Sequence, residues 1–297
     1  MRAARFLLAV LGLWGGTAEA HPIKVVASFS ILGDIVHQVA GDLAEVVVLV
    51  PPDGDAHTFD PSPADARRLA DAALVVSNGL GLDGWLDKLA TSAGYAGPRV
   101  IASQGVVTRT MSEGEGSQAK EITDPHAWQD LRNGVIYVRN IDAALEAADP
   151  ADAAQFKRNA AEYAERLRTL DADTRAKIDA VPEAKRRVIT SHDAFGYFGA
   201  AYGVTFLAPE GLSTDQEASA GGVARLIDQI RKEKIKAIFI ENMADPRLIK
   251  SIGSETGVEL GGALFSDALS PPGGLAPCYT CMFDNNVPKL VVGMQKN

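Results

Sequence analysis

The sequence predicts an α/β protein of two lobes, each a mainly parallel sheet flanked by helices, joined by one long rigid helix with a cleft between the lobes. Three observations predict it. Short β-branched runs alternate with amphipathic stretches, which is the pattern of a parallel sheet covered by helices on both faces. Those runs fall into two groups of four, separated by a long helical stretch. The chain has 297 residues, 46% of them hydrophobic, enough for two compact lobes rather than a small stapled scaffold.

Taken in order, residues 1–20 read as an export signal. Arg2 and Arg5 give a basic start, 6–14 is an apolar run, and Ala18-Glu19-Ala20 is a small-x-small cleavage site before His21. The apolar run is too short to span a bilayer, and no cysteine stands at the cleavage site to take a lipid. A free periplasmic protein is therefore expected, in a compartment that permits disulfides. The N-terminal lobe is placed at 21–128, with strands at 23–27, 45–50, 73–77 and 99–102. Residues 104–123 lack periodicity, and Ser112-Glu113-Gly114-Glu115-Gly116-Ser117 has the composition of an acidic linker, so this stretch reads as a mobile loop.

A helical connector is placed at 129–186. It is broken at Asp149-Pro150, where the proline suits the first turn of a new helix. From 151 to 180 there is neither glycine nor proline, and Phe156, Tyr163, Leu167, Leu170 and Ile178 recur at roughly helical spacing. A helix of that length reaches ~45 Å, enough to bridge two lobes and limit their hinging. The C-terminal lobe is placed at 187–297, with strands at 187–190, 204–207, 236–240 and 258–264. Cys278 and Cys281 lie three apart across a helix start, a spacing that suits a small disulfide, with free thiols or a redox or metal role as the alternatives.

Lys and Arg number 29 against 38 Asp and Glu, a net charge of −9. That balance argues against a large basic surface for nucleic acid or anionic lipid and favours cationic ligands. Of five histidines, three sit in loop-rich segments. His57 follows the second strand, His126 follows the aperiodic loop, and His192 follows the fifth strand, while Asp267 follows the last. Ligands of open α/β sheets bind outside the carboxyl ends of the strands, so a cleft site would draw on such positions. Three neutral imidazoles and one carboxylate make a four-donor set that suits zinc better than calcium or magnesium. Asp60, Asp193 and backbone carbonyls are candidate acceptors that would fix the imidazole tautomers.

Two other patterns have bland readings. Gly79-Leu80-Gly81-Leu82-Asp83-Gly84 is a literal G-x-G-x-x-G, but no acid follows at the end of the next strand to hold a ribose, so it reads as a glycine-rich turn. Ser191-His192-Asp193 has the residue types of a catalytic triad, yet neighbours in an extended segment point to opposite faces and cannot form a relay.

The segments Gly54-Asp55-Ala56-His57-Thr58-Phe59-Asp60-Pro61, Asp124-Pro125-His126-Ala127-Trp128, Ser191-His192-Asp193-Ala194-Phe195-Gly196 and Ser266-Asp267-Ala268-Leu269-Ser270 resemble, in order, the four metal-binding motifs of the zinc and manganese solute-binding proteins of ABC importers, cluster A-I. The resemblance implies a non-enzymatic receptor that holds one Zn2+ on His57, His126, His192 and Asp267 and delivers it to a permease with a cytoplasmic ATPase. Manganese members usually carry a glutamate where this chain has His192, which points to zinc. A periplasmic zinc metallochaperone is a further candidate partner, and a monomer is expected. Two departures stand out. Many zinc members have a histidine-rich insertion where residues 104–123 contain no histidine, and Cys278 and Cys281 stand where the family is usually cysteine-free. The competing readings are a secreted zinc hydrolase using the three histidines and a periplasmic zinc buffer without a transport role.

Overall fold

The structure is a computed structural model describing residues 22–113, 120–215 and 218–297. The expected export signal, 1–20, and the centre of the acidic stretch, 114–119, lie outside the described residues.

All eight expected strands are present, within one or two residues at each end. The first sheet contains β1 (Ile23–Phe29), β2 (Ala44–Val50), β3 (Leu74–Ser77) and β4 (Arg99–Ile101) in the order β2-β1-β3-β4, every pair parallel. Val25, Val26 and Ala27 of β1 are fully buried, as expected of a central strand covered on both faces. Helix α1 (Ser30–Ala40) lies close against β2, and a Cβ on Gly33 would collide with Val48 Cγ2, so only glycine permits that approach. Helices α2 (Pro63–Ala70) and α3 (Trp85–Ser92) pack on the other face. A capping box between Ser62 and Asp65 starts α2.

The aperiodic stretch carries two strands that the sequence did not predict. Its described ends, β5 (Thr110–Glu113) and β6 (Lys120–Thr123), pair antiparallel, with Thr110 opposite Thr123. Lys120, Glu121 and Ile122 of this ribbon are exposed and Thr123 is half-buried, so β6 left no alternating pattern in the sequence. Backbone pairing and an anchor to the second lobe hold it instead, the Arg109 N–H donating to the Tyr197 hydroxyl at 3.1 Å.

Two helices follow, α4 (Leu131–Ala148) and α5 (Ala153–Asp179). Pro150 falls in the turn between them, just before the Asp152 N-cap rather than inside the first turn of α5. The 27-residue α5 is ~40 Å long and packs against α1 of the first lobe and both α6 (Gly196–Tyr202) and α9 (Tyr279–Gln295) of the second. Phe156, Tyr163, Leu167 and Ile178 bury one stripe of it in a core that runs continuously through both lobes.

The second sheet contains β7 (Arg187–Ile189), β8 (Thr205–Leu207), β9 (Ile238–Glu241) and β10 (Leu260–Leu264) in the order β10-β9-β7-β8, again parallel. Counted within its own lobe, each sheet runs second-first-third-fourth strand, so the architecture repeats where no sequence repeat is visible. Helices α7 (Ala220–Glu233) and α8 (Arg247–Thr256) enclose a separate apolar cluster built around Ile230, Ile238 and Ile252. Cys278 and Cys281 are joined by a disulfide across the start of α9.

Candidate metal centre

Each of the four singled-out residues sits in a loop beyond a strand's carboxyl end, and in three of them the residue's own N–H donates to a carboxylate, two of these local and one from a neighbouring strand. The N–H of His57, after β2, donates to Asp55 Oδ1 at 2.9 Å. The N–H of His126, after β6, donates to Asp124 Oδ1 at the same distance, repeating the Asp-x-His turn. The N–H of His192, after β7, donates to Glu241 Oε1 at 2.9 Å, from the last residue of β9. Asp267 follows β10, and the carbonyl before it, Ser266 O, accepts from Trp128 Nε1 and Gln129 Nε2, both at 2.9 Å. That pair of bonds ties the Asp267 loop to the His126 segment across the cleft.

The structure brings all four residues together, one donor atom from each lying within 4.8 Å of the others. His192 Nε2 is 3.0 Å from Asp267 Oδ2, His57 Nε2 is 3.3 Å from the same oxygen, and His126 Nε2 is 3.6 Å from it. The Nε2 atoms of His57 and His126 are 3.2 Å apart. A tetrahedral ion with bonds of about 2.0–2.1 Å separates its donors by about 3.4 Å, so these spacings match a small cation held between them. His126, His192 and Asp267 are fully buried. Asp267 Oδ1 is buried with no hydrogen-bond partner among the described residues, as a carboxylate kept for a cation would be.

The electrostatics are those of imidazoles crowded onto carboxylates. Burial opposes charge on His126, but Asp267 and Asp124 outweigh it and raise its pKa to about 9. His192 is likewise held well above the ordinary histidine range, with Glu241 and Asp267 overcoming burial. Burial would raise the Asp267 pKa, yet His126 and His192 hold it well below the usual carboxylate range. The metal-free site therefore keeps its charge balance with protons that an incoming cation must displace.

The ring partners are not those expected from sequence. Asp60 is exposed, and the Asp193 carboxylate, although near enough to feel the charges of His126 and His192, makes no hydrogen bond to either ring. Asp124 takes the first role, its Oδ1 lying 2.8 Å from His126 Nδ1. Glu241 takes the second, with Oε2 2.8 Å from His192 Nδ1 although the two are not aligned as a hydrogen bond. Asp124 was legible as an acid two residues before a histidine. Glu241 was not, because it reaches His192 across a parallel sheet from 49 residues away.

The glycine-rich turn has a structural task. Gly79, Leu80 and Gly81 all take positive φ, and the N–H groups of Asn78 and Gly79 converge on the Asp83 carboxylate at 2.6 and 3.0 Å. The anion cradle is thus filled by the chain's own acid. Asn78 Nδ2 then donates to Pro125 O at 3.0 Å, holding the residue before His126.

The family described as zinc-uptake complex component A, periplasmic, matches residues 25–293. The iron-binding protein YfeA of Yersinia pestis is 33% identical over 274 residues, covering 92% of this chain and 87% of that protein. The manganese ABC transporter substrate-binding lipoprotein PsaA of Streptococcus mitis is 31% identical over 285 residues, covering 94% and 91%. Among solved structures, the periplasmic zinc binding protein TroA from Treponema pallidum superposes with a TM-score of 0.85 at 28% identity, covering 92% of this chain and 99% of that one.

Proposed function

Because this chain belongs to the zinc-uptake complex component A family of periplasmic binding proteins of ABC importers, we propose that the ion it captures and hands on is Zn2+. It is a periplasmic metal-binding receptor, and members of its family deliver metal to a permease and ATPase rather than catalysing a reaction. We assign the four donors to His57, His126, His192 and Asp267.

The observation that carries zinc is the third donor, an imidazole at His192 where a carboxylate would suit a harder ion. Three nitrogens and one oxygen, all within 4.8 Å of one another, suit zinc, which also binds nitrogen donors more tightly than manganese or ferrous iron does. Relatives named for manganese, iron and zinc make the choice a real one. Competition between Zn2+ and Mn2+ for the purified exported chain tests it. Zinc should be preferred by at least about a hundredfold at one ion per chain, and equal or tighter manganese binding would defeat the zinc reading.

The same reading includes release of a monomer beginning at His21 with no lipid. Several relatives are named lipoproteins, so the intact mass of the exported chain is the direct check. A lobe division at 21–128, 129–186 and 187–297 and loading by a periplasmic metallochaperone complete it.

A further inference from the structure

The loop that carries His57 belongs to the first lobe, yet it is pinned to the second. The Asp53 N–H donates to Leu269 O at 2.9 Å, and Asn242 Nδ2 donates to Asp53 Oδ1 at 2.8 Å. Asp53 stands at φ +57, a left-handed conformation that aspartate adopts more readily than most side chains, and these two bonds hold it there. Asp55 makes the third connection with both oxygens. Oδ1 accepts the His57 N–H at 2.9 Å, while Oδ2 accepts the Thr214 hydroxyl of the second lobe at 2.6 Å.

His57 is also the least restrained of the assigned donors. His126 and His192 each have a buried carboxylate 2.8 Å from Nδ1, but among the described residues no carboxylate approaches Nδ1 of His57. Its side chain is 5% exposed, whereas those of His126 and His192 are 0% exposed. A cavity of about 640 Å3, lined by Asp55, Glu210, Thr214, Met243 and Asp245, opens on the Asp55–Thr214 pair. The ring's position thus depends on its backbone, and its backbone depends on Asp55.

Resting on the assignment of His57 as a donor, we propose that Asp55 is a positioning residue that couples contact between the lobes to His57, through the bridge His57 N–H to Asp55 to Thr214. While Thr214 holds Oδ2, the carboxylate is oriented for the His57 N–H and the ring completes the cation's shell. When the bridge opens, His57 is the first donor to leave, and the ion exits on the cavity side. A hydrogen bond to a charged carboxylate is strong enough to set a rate in this way.

The test is zinc release from the full exported chain into excess chelator, followed by stopped flow, for wild type, Thr214→Val and Thr214→Ser. Thr214→Val removes the hydroxyl with little change of shape, and should speed release about tenfold while the chain still takes up one zinc. Thr214→Ser should restore release to about the wild-type rate. In the zinc-free protein, Thr214→Val should also speed hydrogen exchange at residues 53–57 and leave that at 124–128 unchanged. Release from Thr214→Val at the wild-type rate, or Thr214→Ser as fast as Thr214→Val, overturns the coupling and leaves the zinc reading standing. A wild-type chain that takes up no zinc overturns both.

Discussion

Glu241 holds His192 from two sides, its Oε1 accepting the backbone N–H at 2.9 Å and its Oε2 lying 2.8 Å from the ring Nδ1. Both groups are fully buried. The carboxylate beside Nδ1 raises the ring's basicity, and Nε2 is left facing Asp267. Glu241→Gln keeps the shape and removes the charge, and it should weaken zinc binding about 10- to 100-fold. Competition against a calibrated chelator measures this, and the unfolded fraction at room temperature should stay negligible.

Gly196 explains a glycine in the His192 motif. A Cβ there would stand 2.7 Å from Asp124 Oδ2, the carboxylate that orients His126. Gly196→Ala should displace Asp124 and lower zinc affinity by about tenfold. Addition of Asp124→Ala to that variant should cost little more, because both changes remove the same support. Additive losses in the double-mutant cycle would separate Gly196 from Asp124.

The pH dependence follows from the raised histidines. His126, with a pKa of about 9, is protonated at pH 7 in the metal-free protein, and His192 is shifted in the same direction. Zinc should then displace at least about one proton per ion at pH 7. Affinity should climb from pH 7 toward pH 9, where histidines at the reference pKa of about 6.5 would already level off. Calorimetry in buffers of different ionisation enthalpy counts the protons. The sign for stability is opposite: a pKa raised on folding contributes stability that is complete below about 6.5 and is lost as pH rises through about 9. The metal-free unfolding temperature should therefore fall over that interval as zinc affinity rises.

The disulfide joins Cys278 and Cys281 across the first turn of α9 and closes a very short loop. Loop-closure entropy for four residues is worth about 2 kcal/mol at most. Reduction should lower stability by no more than that and leave zinc stoichiometry unchanged, as denaturant titration with and without a reductant will show.

The strands were legible because a fully buried central strand such as Val25, Val26 and Ala27, and a half-buried edge strand such as Val46, Val47 and Val48, write short β-branched runs into a chain. The long helix was legible from an apolar stripe uninterrupted by glycine or proline. His57, His126, His192 and Asp267 stood out individually by their place after strands, and their convergence was legible only through the resemblance of four ordered motifs. Glu241 and the Asp55 to Thr214 bridge stayed hidden because they connect residues distant in the chain through loops and strand ends. The ribbon of β5 and β6 stayed hidden because its order comes from backbone pairing rather than an apolar face.

The central claim, that these four residues take zinc, is tested most directly by anomalous diffraction from crystals of the exported chain grown with equimolar Zn2+ and Mn2+. The expected result is one strong peak per chain at the zinc edge, with His57 Nε2, His126 Nε2, His192 Nε2 and an Asp267 oxygen at about 2.0–2.2 Å. A peak at the manganese edge in that position, or a zinc peak lacking any of the three imidazoles, would contradict it.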